Sequence, residues 1–395
     1  MNQAILHPEN QTFIQEYLDK DTSQLIFKKA PNSNVSMAEL VAQIEAKKRC
    51  KTKLPTWYQT PLIYYPTKLQ IEQTSSELTA NYKAQLVSGA KLLDATGGFG
   101  VDSYYFSKQV KQVVHCEINS QLSELVNYNL KQLQITNIET VAANGLLYLQ
   151  NQNTHFNWIY LDPSRRNDSK GKVFFLSDCL PNVPEALPIL FNYSPNLLIK
   201  TAPLLDISAG IKELEHVKEI HVVAVNNDVK ELLWVLEKNT NKPVSIITTN
   251  LTKTATQRFR FWLKDEANTQ AAYSVPRHYL YEPNAAILKS GAFNTIAQAF
   301  NCYKLEQHTH LYTHQKLLEF PGRTFSITAT HPYTKKNIKA LGIKKANIST
   351  RNFPESVADI RKKFKIADGG TSYLFFTTNM HQERIVIECK KVTEN

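Results

Sequence analysis

The sequence predicts an α/β protein in three parts: a helical cap over residues 1–85, an α/β domain over residues 86–265, and a small basic α+β domain over residues 266–395. Three observations predict it. Residues 91–119, KLLDATGGFGVDSYYFSKQVKQVVHCEIN, read as strand, tight glycine loop, helix and strand. Apolar runs and helical segments alternate beyond them, the pattern of a sheet covered by helices. The last third changes to short strands among basic helices.

Bulk properties agree with this division. A chain of 395 residues exceeds what one hydrophobic core holds, so two or three domains are expected. At 42% hydrophobic and 10% aromatic the composition is globular. No run approaches the roughly 18 apolar residues of a membrane span. The start, MNQAILHPEN, lacks the basic and apolar regions of a secretory signal. Five cysteines (Cys50, Cys116, Cys179, Cys302, Cys389) without a CxxC pair read as reduced thiols, so a cytoplasmic location is expected and neither a zinc site nor a disulfide framework is predicted.

The net charge of +11 is unevenly spread. Residues 1–90 carry 10 basic against 8 acidic side chains, residues 91–300 carry 20 against 19, and residues 301–395 carry 16 against 8. A nearly neutral core before a basic tail suggests that the tail docks a polyanion, of which nucleic acid is the commonest; a solvated basic face is the alternative.

In the cap, Met37, Leu40, Val41 and Ile44 stand at helical spacing behind Ser36 as N-cap. Lys47, Lys48, Arg49, Lys51 and Lys53 follow, then Trp57, Tyr58, Tyr64 and Tyr65. Cations interleaved with aromatics suit a phosphate backbone with stacked bases, and the same aromatics suit packing of the cap; both readings stay open.

The glycine loop carries the chemistry. Asp94 ends the first strand, Gly97, Gly98 and Gly100 follow, and Glu117 ends the second strand 23 residues beyond Asp94. Glycine lets the backbone pass close to a ligand, and an acidic residue at the tip of the second strand is placed to grip the hydroxyls of a ribose. Asp94 would repel the pyrophosphate of a dinucleotide but attract a sulfonium or ammonium. S-adenosylmethionine carries both cations and no phosphate.

Asn144, at the end of the third strand, can hydrogen-bond an adenine amine or cap the next helix. The fourth strand, NWIYLDPSRRN, leads to Asp162 and Pro163 at the carboxyl edge of the sheet. Acceptors there suit a nitrogen nucleophile, whose lone pair must be freed for in-line attack on a sulfonium methyl. Arg165 and Arg166 can stack on a base, hold a phosphate or form internal salt bridges. Lys200 ends the fifth strand. Cys179 reads as a packed cysteine rather than a nucleophile. A sixth strand (Ile220–Val225), a helix from about Asp228 and an edge hairpin formed by PVSIITT and QRFRFWL complete the domain.

DATGGFG, HCEIN and IYLDPSRR resemble motifs I, II and IV of class I S-adenosylmethionine-dependent methyltransferases. The whole chain is similar to bacterial proteins of that class with a THUMP-like C-terminal domain, most strongly over residues 70–205. The resemblance implies a Rossmann-like domain, S-adenosylmethionine as cofactor, and RNA such as tRNA or rRNA as partner. It implies cofactor binding by Asp94, Gly97, Gly98, Gly100, Glu117 and Asn144, and catalysis by Asp162 and Pro163, with Arg165 and Arg166 against the substrate. It also draws Ser76 and Glu77 toward the cofactor. Families acting on bases follow Asp-Pro with a second proline and a stacking aromatic; here Ser164 and Arg165 stand instead. Rival readings are a methyltransferase for protein or a small molecule, and a binding protein that keeps the fold without catalysis.

The C-terminal third reads as one helix over EPNAAILKSGAFNTIAQAF, then strand, helix, strand, helix, strand, strand over an antiparallel sheet. Its helices carry Lys335, Lys336, Lys339, Lys344, Lys345, Arg361, Lys362, Lys363 and Lys365. His308, His310 and His314 share a loop without a carboxylate or cysteine to complete a metal site, so no metal is predicted.

Overall fold

The computed structural model describes residues 1–31, 33–165 and 175–392. The chain divides into two compact units, Met1–Lys218 with Glu231–Asn241, and Glu219–Lys230 with Lys242–Asn395. Among the described residues no helix is long and apolar enough to cross a membrane.

The first unit opens with α1 (Pro8–Glu16), α2 (Met37–Lys53), α3 (Pro55–Gln59), α4 (Lys68–Gln73) and α5 (Glu77–Ala84). Ser36 and Glu39 close a capping box at the start of α2, and Leu40 and Ile44 on its apolar face are buried against Ile5, Ile14 and Leu18. Several members of the basic and aromatic stretch pack within the unit. Arg49 pairs with Glu72 (2.8 Å) and Lys51 with Asp19 (3.4 Å), while Lys53 donates to the carbonyl oxygens of Ile71 and Glu72 (2.8 and 2.7 Å). Trp57 and Tyr65 are buried, Trp57 edge-on to Tyr104 with centroids 4.9 Å apart.

Then come β1 (Gly89–Asp94), α6 (Val101–Phe106), β2 (Val110–Cys116), α7 (Ser120–Gln132), β3 (Ile138–Val141), α8 (Gly145–Gln152) and β4 (Trp158–Leu161). A two-stranded ribbon, β5 (Ser164–Arg165) with β6 (Cys179–Leu180), precedes α9 (Val183–Tyr193), β7 (Asn196–Thr201) and α10 (Ile207–Glu213). After β8 (Val217–Val225), which lies mostly in the second unit, β9 (Asp228–Glu237) completes the first. The strand order of this unit is β9-β7-β4-β1-β2-β3, parallel except for β9 against β7. The order reverses at β1, so a crevice opens at the carboxyl ends of β1 and β4, where sheets of this kind hold ligands. The register sets Asp94 beside His115 on β2 and Tyr160 on β4.

β9 corrects the helix expected from Asp228. Leu232, Leu233, Trp234, Val235 and Leu236 are all buried, so the segment is a continuous apolar run covered on both faces, which periodicity alone does not separate from a helix. The deciding signal is local: Asn226 and Asn227 both take left-handed backbone (φ 49° and 65°), the conformation of a tight hairpin turn.

In the second unit β10 (Ser245–Leu251) runs parallel to β8, and β11 (Thr256–Trp262) pairs antiparallel with β10, the hairpin the sequence predicts. α11 (Leu263–Asn268), β12 (Tyr279–Pro283), α12 (Ala285–Ser290), α13 (Thr295–Ala299), β13 (Tyr303–Lys304) and β14 (Tyr312–His314) follow. β15 (Gly322–Pro332), α14 (Lys335–Ala340), β16 (Lys345–Arg351), α15 (Val357–Phe364), β17 (Ala367–Thr378) and β18 (Arg384–Lys391) repeat the predicted order of the last third. A seven-stranded sheet runs β13-β14-β12-β15-β18-β17-β16. Two expectations change here. The single helix from Glu282 is the end of β12 and two short helices, broken after Ser290 at Gly291, and β16 lies parallel to β17 in an otherwise antiparallel sheet. Leu280, Phe325, Phe375 and Ile387 pack one of its faces, and Ile338, Ile360, Leu374 and Phe376 anchor α14 and α15 on the other.

Candidate active site

At the carboxyl edge of the first unit's sheet lies a cavity of about 550 Å3 whose walls include Asp94, Gly97, Gly98, Glu117, Asn144 and Asp162. Six of the residues singled out from the sequence thus meet in one place. Gly100 stands behind it as N-cap of α6, and Pro163 is buried beside it. Arg165 contributes backbone to β5, and Arg166 lies outside the described residues.

The loop after β1 is shaped by what it passes. A Cβ on Gly97 would sit 2.1 Å from the His115 ring, so only glycine lets the chain cross that imidazole. Gly98 is left-handed (φ 54°), and its N–H donates to Glu117 Oε2 at 2.9 Å. Asn119 N–H donates to Glu117 Oε1 at 2.8 Å, which fixes the carboxylate at the cavity edge. Asn144 Oδ1 accepts from the N–H groups of Leu146 and Leu147 (2.9 and 3.3 Å), the helix-capping role.

Asp94 forms the floor, 1% exposed. The Ser103 hydroxyl donates to its Oδ2 at 2.6 Å and Thr96 N–H to its Oδ1 at 3.2 Å. Burial outweighs both and pushes its pKa up to about 7. Burial likewise pushes His115 down to about 4, so this ring, with Nδ1 3.1 Å from Ser103 Oγ, is neutral packing rather than a counter-ion.

Asp162 is held twice. Its N–H donates to Thr96 Oγ1 at 2.6 Å, and Lys200 Nζ donates to its Oδ2 at 2.5 Å. Lys200 is therefore in an ion pair. Burial opposes its charge, but Asp162, Glu231 and Asp102 prevail and raise its pKa above the ordinary lysine value.

Beneath this pair lies a network that the sequence reading missed. Lys83, fully buried, donates to both Glu231 oxygens (3.0 and 2.8 Å) and to Ser75 Oγ (3.0 Å), and stands 3.2 Å from Asp102 Oδ1. The hydroxyls of Tyr160 and Ser75 donate to Asp102 Oδ2 at 2.8 and 2.9 Å. Burial alone would raise Asp102, yet Lys83, Lys200 and these hydroxyls hold it below its ordinary value; for Glu231 burial prevails over Lys83 and its pKa is raised. Ser75, Asp102 and Tyr160 also line the cavity. Ser76 and Glu77, drawn toward the cofactor by resemblance, do structural work: Ser76 caps α5 by accepting from Thr79 N–H, and Glu77 accepts from Thr56 and from the Tyr105 hydroxyl. Cys179 is buried, as a packed cysteine should be.

In the second unit Lys335, Lys336, Lys339, Lys344, Lys345, Lys362 and Lys365 are exposed and make no ion pair among the described residues. Lys363 pairs with Glu355 at 2.9 Å, and Arg361 pairs with Asp368.

Comparison with known proteins adds to this geometry. Residues 322–391 match the THUMP domain-like family, and residues 279–321 match a ferredoxin-like domain family. No curated protein matches the chain. Among solved structures, one from Porphyromonas gingivalis W83, provisionally described as a methyltransferase, superposes with a TM-score of 0.89 at 28% identity, covering 100% of both chains. An rRNA methylase from Streptococcus thermophilus aligns over 41% of this chain and 96% of its own, with a TM-score of 0.30 and 17% identity. A Streptococcus mutans protein in complex with SAH aligns over 41% of this chain and 96% of its own, with a TM-score of 0.30 and 16% identity. At those scores the last two likenesses carry nothing about activity. The chain joins a Rossmann-like unit of class I methyltransferase fold to a ferredoxin-like and THUMP domain-like C-terminal unit.

Proposed function

We propose that the chain is an S-adenosylmethionine-dependent methyltransferase acting on a base nitrogen of structured RNA, tRNA or rRNA. The observation that carries the proposal is the meeting of Asp94, Gly97, Gly98, Glu117 and Asn144 with the Lys200-bound Asp162 in one cavity. The residues fit the cofactor. The volume is that of a small-molecule site, open space lies over Gly98, Glu117 stands where ribose hydroxyls would be gripped, and a buried carboxylate waits for a cation. S-adenosylmethionine, when bound, supplies a methyl group on a sulfonium.

The protein's own part is positioning. Lys200 occupies Asp162 Oδ2, leaving Oδ1 and the main-chain carbonyl as acceptors for a target N–H. An acceptor at that N–H turns the nitrogen lone pair toward the methyl. The unpaired lysines of α14 and α15, on a THUMP domain-like segment, support RNA as the partner through phosphate contacts. The test is transfer of radiolabelled methyl to total RNA, DNA and protein from a strain lacking the gene, with Asp162→Ala as control. Label in RNA that vanishes in the variant is expected; label in protein, or none despite measured cofactor binding, would overturn the proposal.

A further inference from the structure

Ser164 and Arg165 stand where base-modifying enzymes of this fold present a second proline and a stacking aromatic, and β6 lies directly across from them. In the ribbon Ser164 pairs with Leu180 and Arg165 with Cys179. Alternation along β6 buries Cys179 completely and turns Leu180 outward, 54% exposed. Leu180 and Pro181 nevertheless line the same cavity as Asp162 and Ser164.

The apolar pair is firmly seated. Before it, the N–H groups of Leu176 and Ser177 donate to the Glu213 carboxylate (2.9 and 3.0 Å), and Leu176 is fully buried. After it, Val183 at the start of α9 is fully buried. A leucine held outward between two anchors, on the wall of the cavity that holds Asp162, is a preformed apolar platform.

We infer that Leu180 and Pro181 form the face against which the target base packs, replacing the missing aromatic, so that the RNA substrate is captured through one unpaired or extruded base. The inference rests on the RNA reading above and specifies how that site holds its substrate. A nucleobase is apolar on its faces and polar at its edge, and the cavity offers the same division: Leu180 and Pro181 for the face, Asp162 and Ser164 for the edge. A protein lysine fits less well, because the Lys200 ammonium 2.5 Å from Asp162 would repel an incoming cation.

The test compares wild-type protein with Leu180→Ser and Leu180→Tyr, all full length, in steady-state methyl transfer to RNA, with S-adenosylmethionine affinity measured by calorimetry. Leu180→Ser should lower kcat/KM for RNA by about tenfold, chiefly through KM, with cofactor affinity unchanged; Leu180→Tyr, which restores a stacking ring, should keep the wild-type value or exceed it. An unchanged kcat/KM in Leu180→Ser, an equal loss in both variants, or a loss matched by weaker cofactor binding would overturn the platform while leaving the RNA reading standing. Wild-type protein that labels no RNA would overturn both.

Discussion

Charge is buried and paired under the cavity of the first unit, where Lys83 meets Asp102 and Glu231 and Lys200 meets Asp162, whereas in the second unit the lysines of α14 and Lys362 of α15 stand in solvent without ion pairs among the described residues. Buried pairs act at short range in a low-dielectric interior and fix geometry. Exposed cations act over a screening length and fix little but attraction. The first unit should therefore respond to single substitutions and to pH, and the second to salt and to the number of lysines.

Removing a buried cation is the strongest way to break that contrast. Lys83→Met leaves Glu231 and Asp102 facing each other in the core and should destabilise the fold by about 3–5 kcal/mol, read as a fall in the urea midpoint. A loss no larger than that of a surface lysine would show the network to be relaxed. Next in size, Lys200→Met releases Asp162 and should lower kcat by about a hundredfold while cofactor affinity holds, since a misplaced acceptor loses alignment rather than binding. Equal losses in both would tie Lys200 to the cofactor instead.

Asp94 sharpens the comparison through pH. Because its pKa is raised to about 7, the stability linked to this group is full at low pH and is lost as pH rises through 7 in the ligand-free protein. Affinity for a cationic cofactor runs the other way, since only the ionised carboxylate attracts it. Binding should be about tenfold weaker at pH 6 than at pH 8, and flat across that range in Asp94→Asn. The smallest single effects belong to the second unit. Replacing Lys335, Lys336 and Lys339 together by Glu should weaken RNA binding at low salt and flatten the plot of log affinity against log salt by about one unit per lysine, with cofactor binding untouched.

The glycine loop and the Asp-Pro corner were legible because their chemistry is local: Asp94, Gly97, Gly98 and Glu117 fall within 24 residues, and their spacing alone places them at neighbouring strand ends. Lys83 and Glu231 were not legible, being 148 residues apart, with neither residue type suggesting burial until the sheet brings them to 2.8 Å. Asn144 carried two open readings, and the cap is the one its oxygen serves. β9 was misjudged for want of periodicity, although Asn226 and Asn227 marked the turn before it. Leu180 gave no signal at all, because its outward position depends on pairing with Ser164, which is distant in sequence.

Glu231 has a bearing on how the chain is made. It arrives on a strand that follows Glu219–Lys230, a segment belonging to the other unit, so the counter-ion for Lys83 leaves the ribosome only after 230 residues have preceded it. Until then the nascent first unit holds an ammonium with no glutamate to meet it and lacks the strand that pairs with β7. Folding of this unit during synthesis is thus set to finish late, when the first stretch of its neighbour has already emerged, and a fragment ending at Lys218 should stay unfolded however complete its glycine loop and Asp-Pro corner are.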